Sequence, residues 1–294
     1  MSYIVSCCST VDLKKEHLEK LNVSYICFHY FLDGKEYADD LGQTISFKEF
    51  YNKLRNGADS KTSMISVGEY EEYFTKLLES GKDVLHISLS SGVSGSYRSA
   101  LTAADLVKEK FPNQKIYVID SLAASSGYGL LIDTVCQKRD EGMSIDELKL
   151  WVEDNKLKLH HWFFSSDLTF FVKGGRVSKI SGMIGGVFEI CPLMNVSNIG
   201  KLIPRAKIRT KKKVIVETVN RMLEHAQNGK DYDKKVYMCQ SDCIDDANEV
   251  KALVEKQFKK IDGDVLINDI GTVIGSHSGP GTVALFFWGD ERVD

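Results

Sequence analysis

Strand-sized apolar runs alternate with longer amphipathic segments through the first half of this chain. The run 83-DVLHISL-89 leads into a helical pattern over 96–110, and 115-KIYVID-120 leads into another over 123–140. A strand that reaches its neighbour through a helix must lie parallel to it, so this alternation calls for a layered α/β fold. Further strands are expected at 3-YIVS-6, 25-YICFHYFL-32, 160-HHWFFSS-166, 191-CPLMNVS-197, 234-KKVYMCQS-241, 265-VLINDIG-271 and 282-TVALFFWG-289. Further helices are expected at 46–56, 67–80, 145–156, 178–188, 210–228 and 244–259. Two of these open on capping boxes, Ser66 with Glu69 and Ser144 with Glu147. In the second half, strands are joined by short turns such as 198-NIGK-201 as well as by helices, which points to a mixed or antiparallel sheet. The chain has 294 residues, 43% of them hydrophobic, enough for one large or two medium domains. We divide it into an N-terminal α/β domain over 1–163 and a C-terminal α/β domain over 164–294.

Charge argues against a nucleic-acid role. The formal net charge is -3, and there is no helix-turn-helix signal. The basic cluster 205-RAKIRTKKK-213 reads as the solvated start of a helix. The opening MSYIVSCCST lacks a basic leader followed by an apolar run, and no segment approaches a membrane-spanning length. The seven cysteines are odd in number, and Cys239 and Cys243 form a C-x3-C without a second pair or a histidine at zinc spacing. The expectation is a cytoplasmic protein with reduced thiols packed as small hydrophobes.

Four loops carry the residues that could bind something. In 88-SLSSGVSGSYRSA-100, serines and glycines lie between a strand end and a helix start. Free N–H groups, the helix dipole and hydroxyl donors suit an anion there. The same residues also serve as a plain helix-capping turn, and the stretch alone does not choose. It is no nucleophile elbow, because Ser96 stands where G-x-S-x-G needs its last glycine; neither a P-loop nor a dinucleotide fingerprint occurs. In 61-KTSMIS-66, Thr62 and Ser63 are hydroxyls beyond what capping by Ser66 requires. In 271-GTVIGSHSGPGT-282, glycines and a proline build a tight turn around His277. In 173-KGGRVSKISGMIGGVFEI-190, Arg176 precedes an apolar helix containing Gly182, Gly185 and Gly186. Interior glycines cost a helix about 1 kcal/mol each, so another backbone or a bulky apolar guest is expected beside them, near 168-LTFF-171.

Taken together, these strings resemble the DegV family of bacterial fatty-acid-binding proteins. The matching strings run in order: Cys7-Cys8-Ser9-Thr10-Val11-Asp12-Leu13, 61-KTSMIS-66, 88-SLSSGVSGSYRSA-100, 174-GGRVSKISGMIGG-186, 208-IRTKKK-213 and 277-HSGPG-281. The resemblance implies a two-domain α/β protein enclosing a long-chain fatty acid such as palmitate, stearate or oleate, with no cofactor and no metal. It implies that Thr62 and Ser94 bind the carboxylate, that His277 lies beside it, and that Ser63, Ser91, Gly95 and Ser121 make secondary contacts. Arg176 and Arg209 match basic positions near the pocket mouth. It further implies an ATP-binding fatty acid kinase subunit as partner, with transient membrane contact compatible with that role. In one departure, Cys7 and Cys8 stand where the family string has Thr-Asp. The rival readings are a serine esterase using Ser94 and His277, or a phosphotransferase phosphorylated on His277, though no acid lies close to His277 in sequence.

Overall fold

The computed structural model describes residues 3–177 and 190–293. β1 (Tyr3–Cys8) runs through a short 3-10 turn to α1 (Lys15–Lys20), and β2 (Ser24–Ile26) pairs parallel beside β1. The chain then leaves this sheet. β3 (His29–Leu32), β4 (Lys35–Ala38), α2 (Phe47–Arg55) and β5 (Ser60–Ser63) follow, and the three strands form a small antiparallel sheet of order β4-β3-β5. After α3 (Val67–Leu78), β6 (Asp83–Ser88), α4 (Ser96–Lys110) and β7 (Ile116–Asp120) complete a parallel sheet of order β2-β1-β6-β7. α5 (Ser125–Asp140) and α6 (Ile145–Asn155) lead into the second half. There β8 (Leu159–Ser165), α7 (Thr169–Gly174), β9 (Ile190–Val196), β10 (Leu202–Arg209) and α8 (Lys211–His225) come first. They are followed by β11 (Tyr237–Gln240), α9 (Ile244–Gln257), β12 (Leu266–Asp269), α10 (Thr272–Ser278) and β13 (Thr282–Trp288). The six strands form a mixed sheet of order β10-β9-β8-β13-β11-β12, with β11 and β12 parallel and the other pairs antiparallel.

The parallel and mixed sheets are as the strand–helix alternation predicts, and both capping boxes form. Four local readings change. The run over 25–32 is two strands, because the chain crosses between sheets at Phe28: its N–H bonds to Ser9 Oγ at 3.1 Å and its carbonyl accepts from Asp39. The segment 61-KTSMIS-66 is not wholly loop. Its first three residues lie in β5, whose polar sequence pairs with β3 through the backbone, where side-chain propensity has little say. The cluster at 205–213 is not one helix start, because Arg205, Lys207 and Arg209 lie on β10, held by pairing with β9. His277 lies not in a tight turn but in the last turn of α10; the turn follows at Gly279 and Gly281, both with positive φ. The expected helix over 178–188, with Gly182, Gly185 and Gly186, lies outside the described residues. Among the described residues no helix is long and apolar enough to cross a membrane.

α5 lies between the two large sheets and is buried at twelve of its sixteen positions. Eight of the twelve are glycine, aromatic, aliphatic or cysteine, so most of its surface turns to a core. Glycines let both neighbours approach. A Cβ on Gly127 would stand 2.5 Å from the His161 ring and from Phe286, and one on Gly129 would stand 2.8 Å from Leu13. Polar ties complete the joint. Tyr128 Oη accepts from Cys8 N at 3.0 Å and donates to Ile87 O, linking β1 to β6. Asp133 accepts from Lys235 Nζ at 2.9 and 3.0 Å and from Tyr237 Oη, both near β11. Burial opposes ionisation of Asp133, but donors from His17, Tyr237 and Lys235 outweigh it and hold its pKa at about 2. Near the last described residues, Arg292 is buried and donates to backbone carbonyls, among them Leu122 at 3.0 Å and Ser197 at 3.0 Å.

A carboxylate whose pKa is depressed on folding stabilises the native state above its unfolded pKa and loses that contribution as pH falls through the folded value. Asp133→Asn should therefore cost about 2 kcal/mol at neutral pH. The gap from the parent chain should close as pH drops from about 4 to about 2. Urea denaturation of both proteins across that range measures it; a gap that does not change with pH contradicts the assignment.

Candidate functional site

One cavity of about 440 Å³ opens beneath the serine-glycine loop, between the parallel-sheet loops and the mixed sheet. Its floor comes from alternate residues of two paired strands. Thr282, Ala284 and Phe286 of β13 point to it, and so do His161 and Phe163 of β8, opposite Phe286 and Ala284. Side chains at i and i+2 share one face of a strand, and small residues at 282 and 284 leave room there. Phe28, Leu89, Phe171, Val273 and Ile274 add apolar wall. The volume and the apolar lining with polar groups gathered locally are those of small-molecule sites.

The polar groups come from four separate elements. Thr62 is the third residue of β5, and its Oγ1 lies 2.7 Å from His277 Nε2 at the end of α10. Ser91, Ser94 and Gly95 come from the loop between β6 and α4. That loop is tightly tied: Ser94 Oγ accepts from Ser96 N at 3.2 Å, and Ser91 N donates to Asp120 Oδ1 at 3.0 Å. Ser90 Oγ donates to Gly200 O at 2.8 Å, and a Cβ on Gly92 would stand 2.4 Å from that carbonyl, so only glycine fits. Arg176 follows α7 and donates to Gly174 O at 2.6 Å.

The charge balance at this end is simple. Burial, and then the nearby positive charge of Arg176, push the His277 pKa down to about 4, so its imidazole is neutral at physiological pH. His277 Nδ1 is buried and has no hydrogen-bond partner among the described residues. Arg176 keeps its charge, since a guanidinium does not deprotonate in a protein. Hydroxyls, a neutral imidazole and one guanidinium suit a singly charged oxyanion attached to an apolar body. Cys239 also lines the cavity, but burial raises its thiol pKa and it is an inert wall.

Of the residues singled out in sequence, Thr62, Ser63, Ser91, Ser94, Gly95, Arg176 and His277 all line the cavity. Two do not. Ser121 is buried outside the lining and closes its own turn, donating to Ala123 O at 3.2 Å and accepting from Ala123 N at 3.1 Å. Arg209 ends the edge strand β10, exposed and away from the lining. Sequence reasoning missed Ser125, which lines the cavity at the start of α5 and donates to Asp12. It also missed the floor of β8 and β13, whose every-second-residue pattern was the available signal. The substituted Cys8 does not line the cavity. Its Sγ lies 3.3 Å from Tyr70 Oη, which lies 2.8 Å from Ser96 Oγ, so it joins a neutral chain that ends at the first residue of α4.

Comparison with known proteins gives consistent matches. A family model described as "Uncharacterised protein, DegV family" matches residues 7–290. A DegV domain-containing protein of Clostridium perfringens is 34% identical, with 99% of this chain and 98% of that protein aligned. Among solved structures, a DegV lipid-binding protein from Thermotoga maritima superposes with a TM-score of 0.83 at 27% identity, covering 99% of this chain and 100% of that one. A stearic-acid-binding protein from Eubacterium ventriosum superposes with a TM-score of 0.84 at 27% identity, covering 97% of each chain.

If Arg176 helps to hold His277 neutral, an Arg176→Gln variant should raise the histidine's pKa toward its ordinary value. A histidine-selective NMR titration should find about 4 in the parent chain and a higher value in the variant. An ordinary histidine pKa in the parent chain contradicts the burial assigned here.

Proposed function

This chain belongs to the DegV family, and from that premise we propose that its cavity holds one long-chain fatty acid with the carboxylate at the Thr62–Ser94–His277–Arg176 end. The observation that carries this reading is the cavity's lining: largely apolar floor and walls, with Thr62 and His277 in contact and Ser94 and Arg176 lining the same space. Burial of about 14 methylenes is worth roughly 11 kcal/mol in gross transfer, at about 0.8 kcal/mol each. Association and chain ordering remove much of it. The tail thus supplies affinity, and the polar end supplies orientation. Palmitate, stearate and oleate are the proposed ligands; the stearic-acid-binding relative supports the class.

We propose further that the protein is a cytoplasmic carrier without chemistry of its own. It presents the carboxylate to a separate ATP-binding kinase subunit, and a carboxylate oxygen attacks the γ-phosphorus to give an acyl phosphate and ADP. Loading of the acid is compatible with transient contact at a membrane surface. The esterase reading has less support. A serine triad needs a histidine aligned with the serine and held by an acid. Here His277 Nε2 faces Thr62, Ser94 Oγ accepts from Ser96 N, and among the described residues no hydrogen-bond partner reaches His277 Nδ1.

Three variants separate head from tail. Thr62→Val or Ser94→Ala should weaken binding of added oleate by about 1–3 kcal/mol, the cost of an unmatched buried polar group. Ala284→Trp, which fills the floor, should abolish oleate binding while thermal unfolding stays near that of the parent chain. Fluorescence competition with a labelled fatty acid measures both. Unchanged binding in the Thr62 and Ser94 variants would remove the head-group assignment, and unchanged binding in Ala284→Trp would remove the cavity.

A further inference from the structure

On the outer side of the mixed sheet, away from the cavity, the ends of β8, α8 and β13 bring two histidines and a carboxylate together. His160 of β8 is buried, its ring stacked on Phe287 at 5.2 Å and on His225 at 4.9 Å. His225 ends α8, and Asp290 follows β13. Asp290 N donates to His225 O at 3.0 Å, so the backbone sets the aspartate against the helix end before any side chain acts. Asp290 Oδ1 lies 2.9 Å from His160 Nε2 and 3.2 Å from His225 Nδ1. One ligand atom from each residue falls within a 4.8 Å sphere of mutual distances.

Two ligands of a tetrahedral zinc ion, each 2.0–2.1 Å from the metal, stand roughly 3.3 Å apart. Both nitrogen–oxygen separations here are close to that. The near-parallel stacking of the rings, at 18°, presents both nitrogens toward the same carboxylate. We propose that His160, His225 and Asp290 bind one divalent transition-metal ion of the zinc class, with water completing the coordination. Two imidazoles and a carboxylate favour such ions over magnesium or calcium, which take oxygen ligands. Glu224 Oε2, 3.9 Å from His225 Nε2, is placed to orient that ring from behind. The site would pin the tail that carries Arg292, and through it the carbonyls of Leu122 and Ser197. Sequence spacing could not show it, because the three residues lie on distant segments and meet only when the mixed sheet closes.

The alternative is an ordinary polar cluster in which the carboxylate accepts from both rings, and the test separates the two. Full-length protein without a histidine tag is titrated with cobalt(II) under reducing conditions. One saturable equivalent is expected, showing d–d absorption without thiolate charge transfer and displaced by zinc. His225→Gln and Asp290→Asn should each weaken it at least tenfold. Asp290 is 62% exposed, so its variant folds even if the other does not. No saturable binding, a thiolate band, or unchanged affinity in Asp290→Asn overturns the proposal. Fatty-acid content of the same samples should be equal in all three proteins, so failure here leaves the lipid reading untouched, and the reverse holds.

Discussion

The burial of α5 between two sheets is the constraint on which the rest depends. Gly127 and Gly129 let the mixed sheet on one side, and the loop after β1 on the other, come within contact of the helix backbone. Any larger residue would push the two halves apart. The same approach sets where the cavity lies, since Phe286 and His161 both touch Gly127 and form part of the cavity floor. The start of the helix, at Ala124 and Ser125, reaches the cavity wall. Packing and site are therefore one problem: the interface that holds the halves together also shapes the space between them.

Within that space the electrostatics are modest by design of the fold. A charged histidine beside Arg176 would repel it in a poorly solvated place, so burial and that guanidinium keep His277 neutral. One positive charge then faces one incoming negative charge. The hydroxyls of Thr62 and Ser94 need no charge to be useful, since each can turn its hydrogen to an oxyanion. Neutrality also reaches the end of β1. Burial raises the Cys8 thiol pKa, and the chain Cys8–Tyr70–Ser96 carries no charge to α4.

How much was legible in the sequence follows from which forces are local. The parallel sheet was legible because apolar runs and helical periodicity are local properties, and the capping boxes at Ser66 and Ser144 are read from residues three apart. The serine-glycine loop was legible only as a candidate, because serine and glycine between a strand and a helix serve capping as readily as they serve an anion. What failed to show depended on distant partners. β5 has no alternation to announce it and exists because β3 offers it a backbone edge. α10 is flanked by Gly271 and Gly279 and holds Gly275 where Tyr51 crowds it, and tertiary contact overrides the turn signal. Ser121 entered only as a secondary contact implied by the resemblance, yet its hydroxyl serves its own turn.

Denaturing the purified protein, extracting it with organic solvent and quantifying lipids by mass spectrometry tests the central claim most directly. The account predicts close to one long-chain fatty acid per chain, carried through purification. A protein that yields none, and that takes up neither palmitate nor oleate when they are supplied, would contradict it.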